Sequence, residues 1–285
     1  MRVLLLLLAA ACLVFSPVPA IAWGPAGHTA IMGVVAQARG ISSGNGYLGL
    51  QAVYGAIAPD FAWQASGSLE TALGAATHDD PGYLEPWARS GYQIERVFSW
   101  GWLSHNQDWG ADYYAHIGDP FAGSWPAPGP GYVVERGQAL AAITGISGTV
   151  AHDYIEVAAD LLLDQHYPEL NLPGVLLAAA AQRSSQVPSL LVRSYADVPG
   201  ASRLMIRSLE TTFRTGMTAY AGALALPTWQ DDASFAAALA VYHGLSPDKS
   251  ASCLSAAKDL CLAPEADYRE AIEATIALVA VGPWP

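Results

Sequence analysis

Apolar residues in this chain recur three and four positions apart in one segment after another, and few runs alternate with the two-residue period of a strand. Residues at that spacing share one face of a helix, so the pattern restricts the chain to helical layers. Pro and Gly punctuate the segments. The spacing predicts helices over His28–Arg39, over Tyr47–Ala58 (ended by Pro59) and over Leu69–Thr77. A Trp- and Tyr-rich stretch, Arg96–Gly118, should hold a buried helix, followed by a Pro- and Gly-rich loop over Asp119–Gly131. Val133–His166 reads as the longest helix, broken near Gly145 or Gly148. Beyond Pro173, helices are expected over Gly174–Gln186, Leu190–Tyr195, Ser202–Leu226, Ser234–His243 and Glu265–Ala280. There is no fixed-period repeat. The expected fold class is all-α.

The first residues read as a secretory signal peptide. Arg2 gives a positive start, Val3–Val14 an apolar stretch, and Ala20-Ile21-Ala22 a small-x-small cleavage site. The stretch is short against the about 20 residues of a membrane span. A retained signal anchor, and lipid attachment at Cys12, are the rival readings. Cleavage after Ala22 makes Trp23 the first residue of a secreted or periplasmic protein. The organisation expected is a signal peptide over 1–22, a helical core over 23–170, and a C-terminal helical region over 171–285 packed on the same domain. Cys253 and Cys261 remain, and in an oxidising compartment they read as a local disulfide, with two buried thiols as the alternative.

The formal charge is −12, with 13 Lys and Arg that form no basic window. That argues against stable nucleic-acid binding, which uses a basic face. It leaves open a phosphate at a metal centre, because a bound cation adds local positive charge.

The chemistry-bearing residues are histidines beside carboxylates. His152 and Glu156 stand four apart on a helix that is otherwise apolar or small, so they share a face and can share a metal. In Gly101-Trp102-Leu103-Ser104-His105-Asn106-Gln107-Asp108-Trp109, His105 and Asp108 are three apart; further on, Asp112 and His116 are four apart. Asp60 follows Gly55-Ala56-Ile57-Ala58-Pro59, and His78 precedes Asp79-Asp80. Trp23-Gly24-Pro25-Ala26-Gly27-His28 adds another feature. A free α-amino group at Trp23, with its adjacent carbonyl, can chelate a cation near His28. Each cluster has a plainer reading as a helix cap, a turn or a surface pair.

Taken in order, Trp23, His28, Asp60, His78, His105, Asp108, His116, His152 and Glu156 resemble the zinc-dependent phospholipase C and S1/P1 nuclease superfamily. The opening Trp-Gly-Pro-Ala-Gly-His looks closer to the nuclease branch. Gly-Ala-Ile-Ala-Pro-Asp, Gly-Trp-Leu-Ser-His and the final His-x-x-x-Glu look closer to the phospholipase C branch. The match spans about half of the chain after Ala22. It departs at the centre: Asp108 is three residues from His105 where the family uses four, so Asp112 is a rival for the bridging carboxylate, and Asp79 or Asp80 for Asp60.

The resemblance implies a multi-helix bundle of the phospholipase C/P1 nuclease type with additional C-terminal helices, and Zn2+, three ions. Asp60, His78, His105 and Asp108 would hold one ion, and His116, His152 and Glu156 a second. The Trp23 amine and carbonyl with His28 would hold a third, sharing Asp108. The implied activity is phospholipase C-like hydrolysis of a phospholipid or other phosphodiester, with transient contact at a membrane surface. A free carboxylate, Asp60, Asp79 or Asp80, would orient water. Trp102, Trp109, Tyr113 and Tyr114 either line the pocket or pack in the core. The alternatives are a single-strand nuclease and a non-catalytic secreted zinc-binding protein of the same fold.

Overall fold

The structure is a computed structural model and describes residues 23–41 and 46–285. The expected signal peptide, residues 1–22, lies outside the described residues. Among those residues there are 14 α-helices and no strand, so the chain is all-helical. None of the helices is long and apolar enough to cross a membrane.

The helix α1 (Pro25–Ala38) begins with Pro at its first turn, where a missing N–H costs nothing. Tyr47–Ile57 forms α2. The α-helix ends just before Pro59, as expected. Pro59 sits at the start of a 3-10 turn, Ala58–Gln64, and this turn carries Asp60 inward. Then follow α3 (Ser68–His78), the short α4 (Glu85–Ala88) and α5 (Gln93–His105).

The stretch Arg96–Gly118, expected to hold a buried helix, holds most of one and the whole of a second. Asn106 ends the first. Its backbone turns to φ −36°, ψ 159°. Its side-chain oxygen then accepts from the N–H groups of Asp108, Trp109 and Gly110 at 2.8, 2.9 and 3.3 Å. An Asn side chain that mimics a backbone turn in this way competes with helix continuation. The next helix, α6 (Ala111–His116), starts beyond it.

The long segment that follows is likewise two helices, α7 (Tyr132–Thr144) and α8 (Gly148–His166). Gly145 takes the left-handed conformation after α7, and the Ser147 hydroxyl caps α8. Every residue of α8 from Ala151 to Leu163 is buried, as expected of a helix surrounded by others. The remaining helices are α9 (Leu172–Ala181), α10 (Val187–Tyr195), α11 (Arg203–Leu224), α12 (Thr228–His243), α13 (Pro247–Cys261) and α14 (Tyr268–Val281). Helices α1, α7, α12 and α13 pack against α8. One hydrophobic cluster runs from Trp23 through Trp102 and Leu161 to Phe213, Leu254 and Val279, so the helices beyond Pro173 share the core.

Helix α13 has no counterpart in the sequence reading, and it overturns the expected disulfide. Cys253 and Cys261 are both free and buried. Eight residues along an α-helix separate two Cα atoms by about 12 Å. A disulfide needs roughly 4.4–6.8 Å.

Two glycines decide how α2 meets α5. A Cβ at Gly55 would collide with the carbonyl of Phe98, and a Cβ at Gly101 with that of Ala52. The two helices touch backbone to backbone. This seam brings the turn after α2, with Asp60, against the end of α5, with His105.

Candidate metal centre

Each polar group of the site sits at an end or an inner face of a helix. His78 is the last residue of α3 and His105 the last of α5. The Gln107 N–H donates to the His78 carbonyl at 3.0 Å and ties those ends together. His28 lies on α1, Asp112 and His116 on α6, and His152 and Glu156 on one face of α8.

These residues form three buried groups, each able to hold a metal ion: Asp60, His78 and His105; His28, His105 and Asp112; and His116, His152 and Glu156. Within a group, one ligand atom from each residue lies within 4.8 Å of the others. His105 belongs to two groups. Asp112 Oδ1 stands 3.2 Å from His116 Nδ1, which joins the third group to the others.

In the first group, Asp60 Oδ1 is 3.4 Å from the Nε2 atoms of both His78 and His105. Those two nitrogens are 3.1 Å apart. The outer nitrogens are occupied elsewhere. His105 Nδ1 lies 2.7 Å from the Ala56 carbonyl and His78 Nδ1 lies 3.0 Å from the Gly74 carbonyl. Only a donor suits a carbonyl, so the proton belongs on Nδ1 and the lone pair on Nε2 faces inward. Two lone pairs and a carboxylate oxygen then converge on one point. That is repulsive unless a cation shares it. An ion about 2.05 Å from both nitrogens would see them at an angle of about 98°, near the tetrahedral value.

The third group repeats the pattern. His116 Nε2 and His152 Nε2 are 2.8 Å apart, and Glu156 Oε1 is 3.3 Å from His152 Nε2 and 3.9 Å from His116 Nε2. Asp153 orients His152 through Nδ1 at 3.2 Å, and its other oxygen meets His243 Nε2 at 3.2 Å.

The middle group shows the clearest fit to a cation. The His28 ring stacks on that of His105 with centroids 4.2 Å apart. Both ring nitrogens of His28 and Asp112 Oδ2 are buried with no hydrogen bond among the described residues, while Asp112 Oδ1 has its ion-pair contacts to His116 and His105. Each such group costs about 1–3 kcal/mol if left unsatisfied.

The electrostatics follow from crowding. Burial pushes the Asp60 carboxyl up, but His105 and His78 outweigh it and hold Asp60 well below the usual carboxylate range. Burial likewise opposes His116 and His105 at Asp112, and loses. His105 is raised because Asp60 and Asp112 overcome its burial. Burial lowers His28 and His152. Glu156 goes the other way: burial, then Asp153 and Asp60, push it well above its ordinary value. It is the carboxylate whose charge most needs a cation.

Asp108 is not at this centre, contrary to expectation. The His105–Asp108 spacing assumed a continuing helix, and Asn106 has ended it. Asp108 instead accepts from the Tyr83 hydroxyl at 3.2 Å and belongs to none of the three groups. Asp112 takes the position facing His105 and His116. Asp79 and Asp80 are exposed, and Asp60 is the buried carboxylate beside His78. Trp23 supplies no side-chain ligand. Its indole is fully buried and stacks on Tyr132 at 5.1 Å. A terminal amine at Trp23 depends on cleavage in a segment outside the described residues. Trp102, Trp109, Tyr113 and Tyr114 are buried core residues.

Three supporting residues escape a reading of the sequence. Trp63 Nε1 donates to Asp60 Oδ1 at 3.1 Å. His243 closes the chain from His152 through Asp153. Asp160 continues the His152–Glu156 face of α8 by one more turn and receives the N–H groups of Ala26 and Gly27, each at 2.8 Å, and the Tyr220 hydroxyl at 2.6 Å. It therefore caps α1 just before His28. Burial raises its carboxyl to about 6. The four-residue rhythm 152, 156, 160 is the signal that marks Asp160; His243 has none.

Comparison of the chain with protein-family models, with curated proteins and with solved structures gives no match in any of the three.

Proposed function

We propose that this chain is a zinc-dependent hydrolase of phosphoric esters that cleaves a phosphodiester in phospholipase C-like fashion. The observation that carries the reading is the convergence of His28, Asp60, His78, His105, Asp112, His116, His152 and Glu156 into three adjoining groups. Imidazole with carboxylate is the donor set that zinc takes. The order of these residues along the chain, and the final His-x-x-x-Glu, support the phospholipase C-like form. The proposed location is outside the cytoplasm, after removal of residues 1–22.

Zinc, when bound, supplies Lewis acidity to phosphoryl oxygens and makes water acidic near neutral pH. The chain's own residues do the rest. Asp60 stays ionised below neutrality, and Trp63 with the two imidazoles engages its Oδ1. Its second oxygen would accept a hydrogen bond from an incoming water and orient it. Asp153 and the Ala56 and Gly74 carbonyls fix the tautomers of His152, His105 and His78, so no ring reorients during turnover.

The test is metal analysis of the purified protein together with turnover of phosphatidylcholine and of single-stranded DNA, with and without a chelator. Stoichiometric zinc and chelator-sensitive cleavage of phosphatidylcholine are expected. Cleavage of DNA alone favours the nuclease, and zinc without any cleavage favours a non-catalytic binder. Absence of stoichiometric zinc removes the proposal.

A further inference from the structure

The 13 basic residues are scattered along the sequence, yet the fold gathers four of them. Arg89, Arg193, Arg203 and Arg207 line an open pocket of about 380 Å³ between the end of α4, the end of α10 and the start of α11. Val192 and Ala196 form its apolar wall. In a chain with a formal charge of −12, such a gathering is not a consequence of composition.

Two of the arginines have partners of their own. Arg89 pairs with Glu85 one turn earlier, and Arg193 pairs with the buried Glu95 at 2.7 Å. Arg203 and Arg207 make no ion pair among the described residues; Arg207 only reaches the Ser189 hydroxyl at 3.3 Å. Asp197, the one acid of the lining, pairs with neither. Both arginines also stand in the first turns of α11, a helix of 22 residues. A cation is disfavoured at Arg203, the first helical residue, because the helix presents its positive end there. Arg203 and Arg207 thus bring two guanidinium groups without a carboxylate partner to a hollow beside a helix N-terminus, with Asp197 the one carboxylate of the lining. Guanidinium groups match phosphate oxygens by paired, charge-assisted hydrogen bonds.

We propose that this pocket is a second ligand site, separate from the metal centre, that binds the phosphate of a phosphate ester, with the small organic part against Val192 and Ala196. The ester is either a soluble molecule or a lipid headgroup. The proposal does not depend on the metal centre being catalytic.

The experiment compares the full chain with its Arg203→Gln/Arg207→Gln variant. Both side chains are exposed, so the variant should keep its helical circular dichroism; single Arg203→Gln serves if it does not. Each protein is titrated calorimetrically with glycerol phosphate at low ionic strength and sedimented with phosphatidylglycerol vesicles. Phosphate bound at the metal centre contributes equally to both proteins, so the difference reports the pocket. Loss of two charge-assisted contacts should weaken binding at least about tenfold. A drop seen with glycerol phosphate identifies a soluble ligand; a drop seen only with vesicles identifies a lipid headgroup. Equal binding of both probes by parent and variant overturns the proposal.

Discussion

His116 and His152 present their Nε2 atoms to each other across 2.8 Å, with Glu156 Oε1 3.3 Å from the second ring. The pair comes from two helices, and Glu156 Oε1 also stands 3.9 Å from His116 Nε2 across the same gap. Replacing His152 with Ala should therefore remove one equivalent of metal and lower turnover roughly 100-fold or more, since even outer partners of metal ligands are worth about 10–100-fold. Far-UV circular dichroism should stay helical. Elemental analysis of the variant is the check, and an unchanged metal content would falsify the assignment of the third group.

Asp112 and Asp108 make opposite predictions. Asp112→Asn removes a buried anion between His28, His105 and His116 and should lower metal content and activity together. Asp108→Asn disturbs one hydrogen bond from Tyr83 and should leave metal content within error of the parent. If the two variants exchange these outcomes, the bridging position belongs to Asp108.

Asp160 holds α1 in place. Its two oxygens share three donors, so Asp160→Asn turns an amide NH2 group towards N–H or O–H groups that also need an acceptor. The expected loss is about 1–3 kcal/mol of unfolding free energy in urea. A midpoint equal to the parent's would show that α1 does not rely on this cap.

The two cysteines should behave as inert thiols. Burial pushes the Cys261 thiol up to about 12, so almost none is thiolate at neutral pH. Iodoacetamide should label neither cysteine in the native protein and both after unfolding without reductant. A mass unchanged by alkylation of the unreduced, unfolded chain would mean that they are joined after all.

The helical class and most helix positions were legible because Pro and Gly mark the boundaries and the apolar spacing fills the intervals. What escaped was set by side chains folding back on the backbone or by contacts distant in sequence. Nothing in Ser-His-Asn-Gln-Asp announces that the Asn106 oxygen will gather three N–H groups, yet this turn decides between Asp108 and Asp112. Helix α13 went unread because its few large apolar residues make a weak helical face, and two cysteines invited a disulfide instead. The ligand types were legible from the pairing of His with acids. Their grouping was not, since His28 and His105 meet only when α1 and α5 pack.

The glycine seam between α2 and α5 has a mechanical consequence. Side-chain layers absorb displacement by changing rotamer, and two main chains in direct contact have no such cushion. A shift of either helix must reach Asp60 and His105 undamped, so the precision of this corner is inherited from the peptide backbone itself. Natural variation should consequently be tolerated around the rim of the molecule and resisted along that bare line of contact.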